Sequence, residues 1–562
     1  MDKRFFLAIL LTGVVLLVTP VLFPVPRPTP APSGAVATPT SPATPVTAAT
    51  PTPTVGAAPA TAPSADTATA AAPIEVRTVQ LTNPVADYTF TSRGAALVSA
   101  TLPRYRRLGA DTGLVQLQAP GAEPLLRYRL IAGGDTIAVD TLRFTTTTTE
   151  TAGRQTVRFE APVGTGSLAI TYAISDSNYL ADVTIAAAGL PTPAFLLTDL
   201  PSGFVSQERD STDDRRHLAY AIRSPATGAE RVDFRKPDPG ERILKQGPFT
   251  WAVAKSKYFL VGLVAVDTTA SPLAEVQVTG APRVNRIAVR AEATVVSSLG
   301  AQPIRLELYA GPQAWERLVA MGREFEHTNP YGGWISGIVQ PFATIVMRVL
   351  LWMKRTLAIE YGLILVIFGV AIRLAMWPLN SKMMRSSIQM QRIAPLIQAA
   401  QDKHRGDPEK QREAVMKVYA DAGISPFAPL AGCLPMLLPM PILFALFFVF
   451  QNTIEFRGVP FLWLPDISVA DPLHIVPIVM GLSMYALSWI GTRNAPPNPQ
   501  AKLMSVAMPI MMTVFLFNFA SGLNLYYAVQ NLAALPQQWL IANERGKTGT
   551  ATVAGGGAAR KR

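Results

Sequence analysis

Residues 361–377, YGLILVIFGVAIRLAMW, constrain what this chain can fold into more than any other stretch. A run so apolar belongs in hydrocarbon, where no water bonds to the backbone, so it must be a helix. One guanidinium, Arg373, lies well inside it. An arginine near mid-bilayer costs roughly 3 kcal/mol on insertion scales, so it is rarely kept without a role or a polar escape. Arg373 is about seven residues, or roughly 10 Å of helix, from Asn380. Position alone does not separate a side chain snorkelling to the headgroups from one facing a polar recess.

The rest of the chain agrees with a membrane protein: 49% of its 562 residues are hydrophobic and the mean hydropathy is +0.25. The net charge of +12 suits nucleic acid or an anionic membrane surface equally well, so the placement of the charges has to decide. A lone cysteine, Cys433, excludes an internal disulfide and any CxxC metal or redox motif.

Residues 1–23 place Lys3 and Arg4 before nineteen uncharged residues, Phe5 to Phe23. The basic flank predicts a retained anchor with a cytoplasmic N-terminus, the alternative being a cleaved signal peptide. Residues 24–73 are almost wholly Pro, Ala, Thr, Ser, Val and Gly, a composition that cannot bury a core and reads as a disordered tether. Residues 74–311 alternate apolar and polar positions in short runs, for example Val157-Arg158-Phe159-Glu160, which predicts a large all-β sandwich. The charged run Asp213, Asp214, Arg215, Arg216 and His217 within it has no second cluster at ligand spacing, so a solvated loop is expected rather than a metal or sugar site.

Residues 312–359 predict a short connecting helix and then an amphipathic one, with Trp334, Ile338, Phe342, Ile345, Val349 and Trp352 as its stripe. If that second helix spanned the bilayer, the basic segment after Asn380 would be left outside, against the positive-inside tendency. It is therefore expected to lie in the outer interface, and 360–379 to run inward. Residues 380–423 carry net charge +3 and read as a cytoplasmic helical hairpin, with Asp407 and Pro408 starting its second arm. The hairpin is either a topogenic basic segment or a docking surface for a ribosome, targeting factor or acidic client. Met383, Met384, Met390 and Met416 could form an adaptable face, though packing within the hairpin explains them as well. Four further spans over 424–541 and a basic tail at 542–562 bring the expected total to six, with both termini inside.

Catalysis has little to work with. Gly546-Lys547-Thr548 has Ile541 where a phosphate-binding loop needs its first glycine, HExxH and GxSxG are missing, and the central spans contain no Asp or Glu. Neither an enzymatic centre, a cofactor site nor a metal site is expected.

Several short motifs point further. The arginine-bearing span ends Met376-Trp377-Pro378-Leu379; Gly432-Cys433-Leu434-Pro435 leads to Met440-Pro441-Ile442; Asp471-Pro472 precedes a span; and Ser521-Gly522-Leu523 leads to Leu525-Tyr526-Tyr527. Thr91-Ser92-Arg93-Gly94 and Tyr331-Gly332-Gly333-Trp334 add weaker matches. With these the chain resembles the YidC/Oxa/Alb family of membrane-protein insertases in its Gram-negative form, over nearly everything except the tether and tail.

The resemblance implies a polytopic α-helical protein of the bacterial inner membrane with a five-helix core and a periplasmic β-supersandwich. It implies that Arg373 faces a hydrophilic groove that takes up the polar tail of an inserting protein, and that the third and fifth spans form an apolar slide, here Leu437, Met440, Leu443, Phe515 and Tyr527. Pro439 and Asn518 stand where the family often has glutamine and tryptophan, so groove polarity is expected to be redistributed, with Asn518 and Asn524 as candidates. Implied partners are nascent membrane proteins, the Sec translocon and its accessory subunits, ribosome or signal-recognition machinery, and membrane lipids. Two rivals are a small-molecule secondary transporter, which should show paired broken helices in repeated halves that are not evident here, and a membrane-anchored periplasmic carbohydrate-active protein.

Overall fold

The computed structural model describes residues 75–556 apart from 110–111, 119–122, 176, 269, 285–287, 330, 332–334, 405, 424–439 and 494–498. The expected anchor and tether, Cys433 and the slide position Leu437 lie outside the described residues.

Antiparallel strands in three sheets build the β domain. Where one face meets the core, the strands alternate: Arg154–Val163 buries Val157, Phe159, Ala161 and Val163 and exposes Arg158 and Glu160 between them. Burying each of the valines and the phenylalanine stabilises by about 1.5–3 kcal/mol. The central strands Trp251–Lys255 and Phe259–Ala265 of the nine-stranded sheet are buried throughout, which explains why they are apolar at every position but Lys255. Their second face is covered by the segment after the last strand: the Trp251 ring packs edge-on against Phe325, and its Nε1 donates to Arg323 O at 3.2 Å. The nine- and six-stranded sheets share one core, joined where the Tyr128 and Tyr172 hydroxyls meet at 2.7 Å and where the Tyr220 hydroxyl donates to Ala291 O.

The charged run at 213–217 is not a solvated loop. It forms helix α1 (Ser211–Arg216), capped by Asp210, with Asp214 buried and Asp213 bonded to Lys257 Nζ at 2.7 Å. Burial pushes the His217 imidazole down to about 4, against the opposing pull of Asp213. A helix whose charges find partners in a folded neighbour looks, in sequence, the same as one facing water.

The remaining helices are α2 (Trp315–Met321), α3 (Ser336–Leu357), α4 (Tyr361–Ala375), α5 (Trp377–Lys403), α6 (Pro408–Asp421), α7 (Met440–Asn452), α8 (Ile475–Thr492), α9 (Pro499–Leu516) and α10 (Ser521–Gly556). Among the described residues, α3 and α8 are long and apolar enough to cross a membrane, while 361–375, 441–452 and 502–516 are shorter apolar helices. α3 is apolar on two sides: Val339, Ala343, Met347 and Leu350 are buried, whereas Ile338, Phe342, Ile345 and Trp352 point outward. α4 passes into α5 across Met376 alone, so the arginine-bearing helix runs into the basic arm without an intervening loop. α5 and α6 pair as a hairpin; Asp407 accepts from the Glu409 and Lys410 amides, and Gln411 donates to Gln401 O.

Candidate functional site

Arg373 stands near the end of α4, half-buried, on the wall of a cavity of about 210 Å³. Met376 reaches this cavity from the junction of α4 and α5, Asn380 from the start of α5, Ile442 and Leu443 from α7, Leu487 from α8, and Tyr526, Tyr527, Gln530, Asn531 and Ala534 from α10. The guanidinium donates through Nη2 to Gln537 Oε1 at 2.9 Å, and its Nε is buried without a hydrogen-bond partner among the described residues. The Tyr527 hydroxyl is likewise buried and unpartnered. Gln530 donates to Gly369 O and Tyr526 Oη, and Asn531 to Ser483 Oγ, so amides of α10 tie it to α4 and α8. Buried polar groups are nearly always satisfied, so the Arg373 Nε and the Tyr527 hydroxyl are exceptions to the rule in the packing behind the cavity wall.

Of the residues expected to act, the structure brings Arg373, Leu443 and Tyr527 to one cavity. Phe515 is 62% exposed on α9, where its ring begins a chain through Phe519 and Phe447 to Phe448 that links α9 to α7. Met440 opens α7, and its side chain lies outside the described residues. Neither Asn518 nor Asn524 lines the cavity. Asn518 is exposed in the turn after α9, and Asn524 is fully buried with Nδ2 donating to Leu516 O, closing the end of that helix. Asn380, Gln530 and Asn531 supply the amides instead, with Gln537 buried behind them against Arg373. Tyr526, Gln530, Ala534 and Gln537 fall at three- and four-residue spacing, a helical face readable in sequence had amides been weighed as heavily as charges.

On the side away from Asn380 the bundle is filled by Ile364, Leu365 and Phe368 of α4, Ala445, Leu446, Val449 and Phe450 of α7, and Met480 of α8. The loop after α7 covers that end. Ser521 and Gly522 amides donate to Val469 O and Ile467 O, and Asp471 accepts from Leu473, Val476 and the Trp463 indole, holding the start of α8. Phe461 lies directly over Gly362, where a Cβ would come within 2.0 Å of its ring.

The same loop is bolted to the β domain. Arg457 Nε bonds to both Glu208 carboxylate oxygens at 2.8 and 2.9 Å, and its guanidinium lies over the Phe259 ring. Asn329 accepts from Lys255 Nζ and donates to Asn452 O, and Glu455 accepts from the Trp315 amide. Burial raises the Glu208 carboxyl to about 7 despite Arg457, and raises Glu455 likewise to about 7.

The architecture is thus an apolar helical bundle with a cavity at a half-buried arginine, joined to a β domain. The sequence matches the family described as 60Kd inner membrane protein over residues 352–548 and the YidC periplasmic domain over 78–345. It is 30% identical over 493 residues to the membrane protein insertase YidC of Bordetella avium, covering 84% of each chain. It is 32% identical over 393 residues to that of Anaeromyxobacter dehalogenans, covering 68% of each. The chain belongs to the YidC family of membrane protein insertases. Among solved structures it is similar to an active YidC insertase at 17% identity, covering 83% of this chain and 94% of the other at a TM-score of 0.33. Over 42% of its length it is similar to a galactose mutarotase-like protein from Lactobacillus casei at 11% identity, covering all of that chain at a TM-score of 0.30.

Proposed function

We propose that this chain inserts and helps fold inner-membrane proteins, taking a client's polar tail into the recess at Arg373 while the client's apolar helix moves along α7 and α9. The observation that carries this is a half-buried guanidinium on a cavity wall, hydrogen-bonded to a neutral amide, in a bundle packed shut on the other side. A client span of about 20 apolar residues gains on the order of 5–10 kcal/mol, and each charge drawn through the bilayer centre costs about 3. The client's own hydrophobicity can therefore drive transfer of a tail with one or two charges, without nucleotide, once the apolar path is shortened. Arg373 shortens it by offering a carboxylate a charge-assisted partner.

In this reading six spans place both termini in the cytoplasm and the β domain in the periplasm. α3 lies along the outer face, which its contacts support. Its middle meets the outer loop and the β-domain exit, with Met347 Sδ beside Thr453 Oγ1 and Arg348 over Trp315, while farther along Arg355 pairs with Glu316 of α2. A membrane-crossing rod of this length would carry one end roughly 30 Å away. The α5–α6 hairpin would receive clients, alone or with the Sec translocon, from ribosomes or signal-recognition machinery. The test is Arg373→Ala in a strain depleted of the native insertase: clients with acidic tails should lose insertion about tenfold or more, and Arg373→Lys should lose less. Unchanged insertion of every client would remove the obligatory charge.

A further inference from the structure

Gln537 is 1% exposed and every hydrogen-bonding atom of its amide is used. Oε1 accepts from Arg373 Nη2 at 2.9 Å, while Nε2 donates to Trp377 O at 2.8 Å and Ser381 Oγ at 2.7 Å. The partners dictate this orientation. A guanidinium only donates and a backbone carbonyl only accepts, so the reversed amide would set donor against donor and acceptor against acceptor. Gln537 thus joins α10 to the junction of α4 and α5 and grips Arg373 by one edge.

The choice of an amide has a consequence for the charge. From 361 to 401 and from 473 to 543 the sequence has no Asp or Glu, so these stretches offer Arg373 no carboxylate, and Glu544 farther along α10 pairs with Arg385. A glutamate at 537 would pair with the guanidinium, cancel its charge and leave Trp377 O facing an anion. A glutamine holds the same atom and leaves the charge intact.

We infer that Gln537 is the positioning residue of Arg373, fixing the guanidinium at the recess wall with a neutral acceptor so that its full charge is kept for an anionic segment of the client. This rests on the reading of Arg373 as the recess charge and adds to it what keeps that charge both aimed and unspent.

The experiment measures insertion of one client in two forms, with acidic and with neutralised tail, by the full-length protein in depleted membranes, corrected for the level of each variant. Gln537→Glu should lower insertion of the acidic form about tenfold and leave the neutral form within about twofold. Gln537→Met, which removes the grip without adding charge, should lower the acidic form about threefold, and it supplies the reading if Gln537→Glu does not accumulate. Equal losses for both tails in Gln537→Met would assign Gln537 a purely structural role and overturn the inference, as would wild-type insertion of the acidic form by either variant that accumulates. Arg373→Ala runs alongside. If it is defective with acidic tails while the Gln537 variants show no tail dependence, the recess reading stands and the positioning role fails; if it inserts both tails normally, the recess reading itself fails.

Discussion

Two arginines, Arg373 and Arg457, mark two regions built on opposite principles. At the seam between the β domain and the outer loop, the side chain of Arg457 is 4% exposed, shared between both oxygens of Glu208 and covered by an aromatic ring. Its charge is used up in holding two parts of the molecule together. In the recess, Arg373 is half-buried and meets only a neutral amide on the edge that is bonded. The same guanidinium serves as a bolt where its counter-charge is internal and, in the function proposed, as a receptor where the counter-charge is left to a client. The difference lies in one neighbouring side chain, a glutamate in one case and a glutamine in the other.

Breaking the bolt should give the larger effect on stability. Arg457→Met strands the buried Glu208 carboxylate, and removing one partner of a buried ion pair costs about 3–5 kcal/mol. Purified protein should melt clearly lower, while insertion per folded molecule keeps its preference for acidic tails; loss of that preference would show that seam and recess are not separable. Arg373→Ala should reverse the pattern, with insertion of acidic tails lost and a smaller fall in melting, since the stranded Gln537 Oε1 costs about 1–3 kcal/mol.

A smaller effect is expected where the loop seals the bundle. Gly362→Ala pushes a methyl into the Phe461 ring, and overpacking of this kind costs about 1–3 kcal/mol. Proteolysis of the loop after α7 should quicken in that variant; unchanged cleavage would mean that Phe461 moves aside freely.

The smallest effect follows from pH at the seam. Burial raises the Glu455 carboxyl from its usual value to about 7, so folding favours its protonated form. Its contribution to stability is full below about 4.5 and is lost as pH rises through about 7. Glu455→Gln, neutral throughout, should flatten the fall in melting temperature between pH 5 and 8 by a few degrees, with Glu208 supplying the slope that remains. An unaltered pH profile would show that water reaches Glu455.

Much of this was legible in the residues. Alternation such as 157–163 names its strand because one face is wet and the other packed. The Asp407-Pro408 pair marks the start of the second hairpin arm because capping is local chemistry. The apolar run around Arg373 had to be a helix because lipid offers the backbone no partners. Long-range partners were harder to see. Asp213 and Asp214 read as solvent-facing until Lys257, more than 40 residues on, was folded against them. Asn524 looked like a groove amide because it sits in an apolar span, yet its bond to Leu516 uses it to close a turn.

By itself, then, the sequence determined the kinds of element, the buried charge and the absence of any carboxylate near it in the spans, because each depends on residues adjacent in the chain or on composition. Only the tertiary structure decided which arginine meets a carboxylate and which a neutral amide. That choice depends on Glu208 meeting Arg457 from 249 residues away and on Gln537 meeting Arg373 from 164 away, and packing alone brings such pairs together.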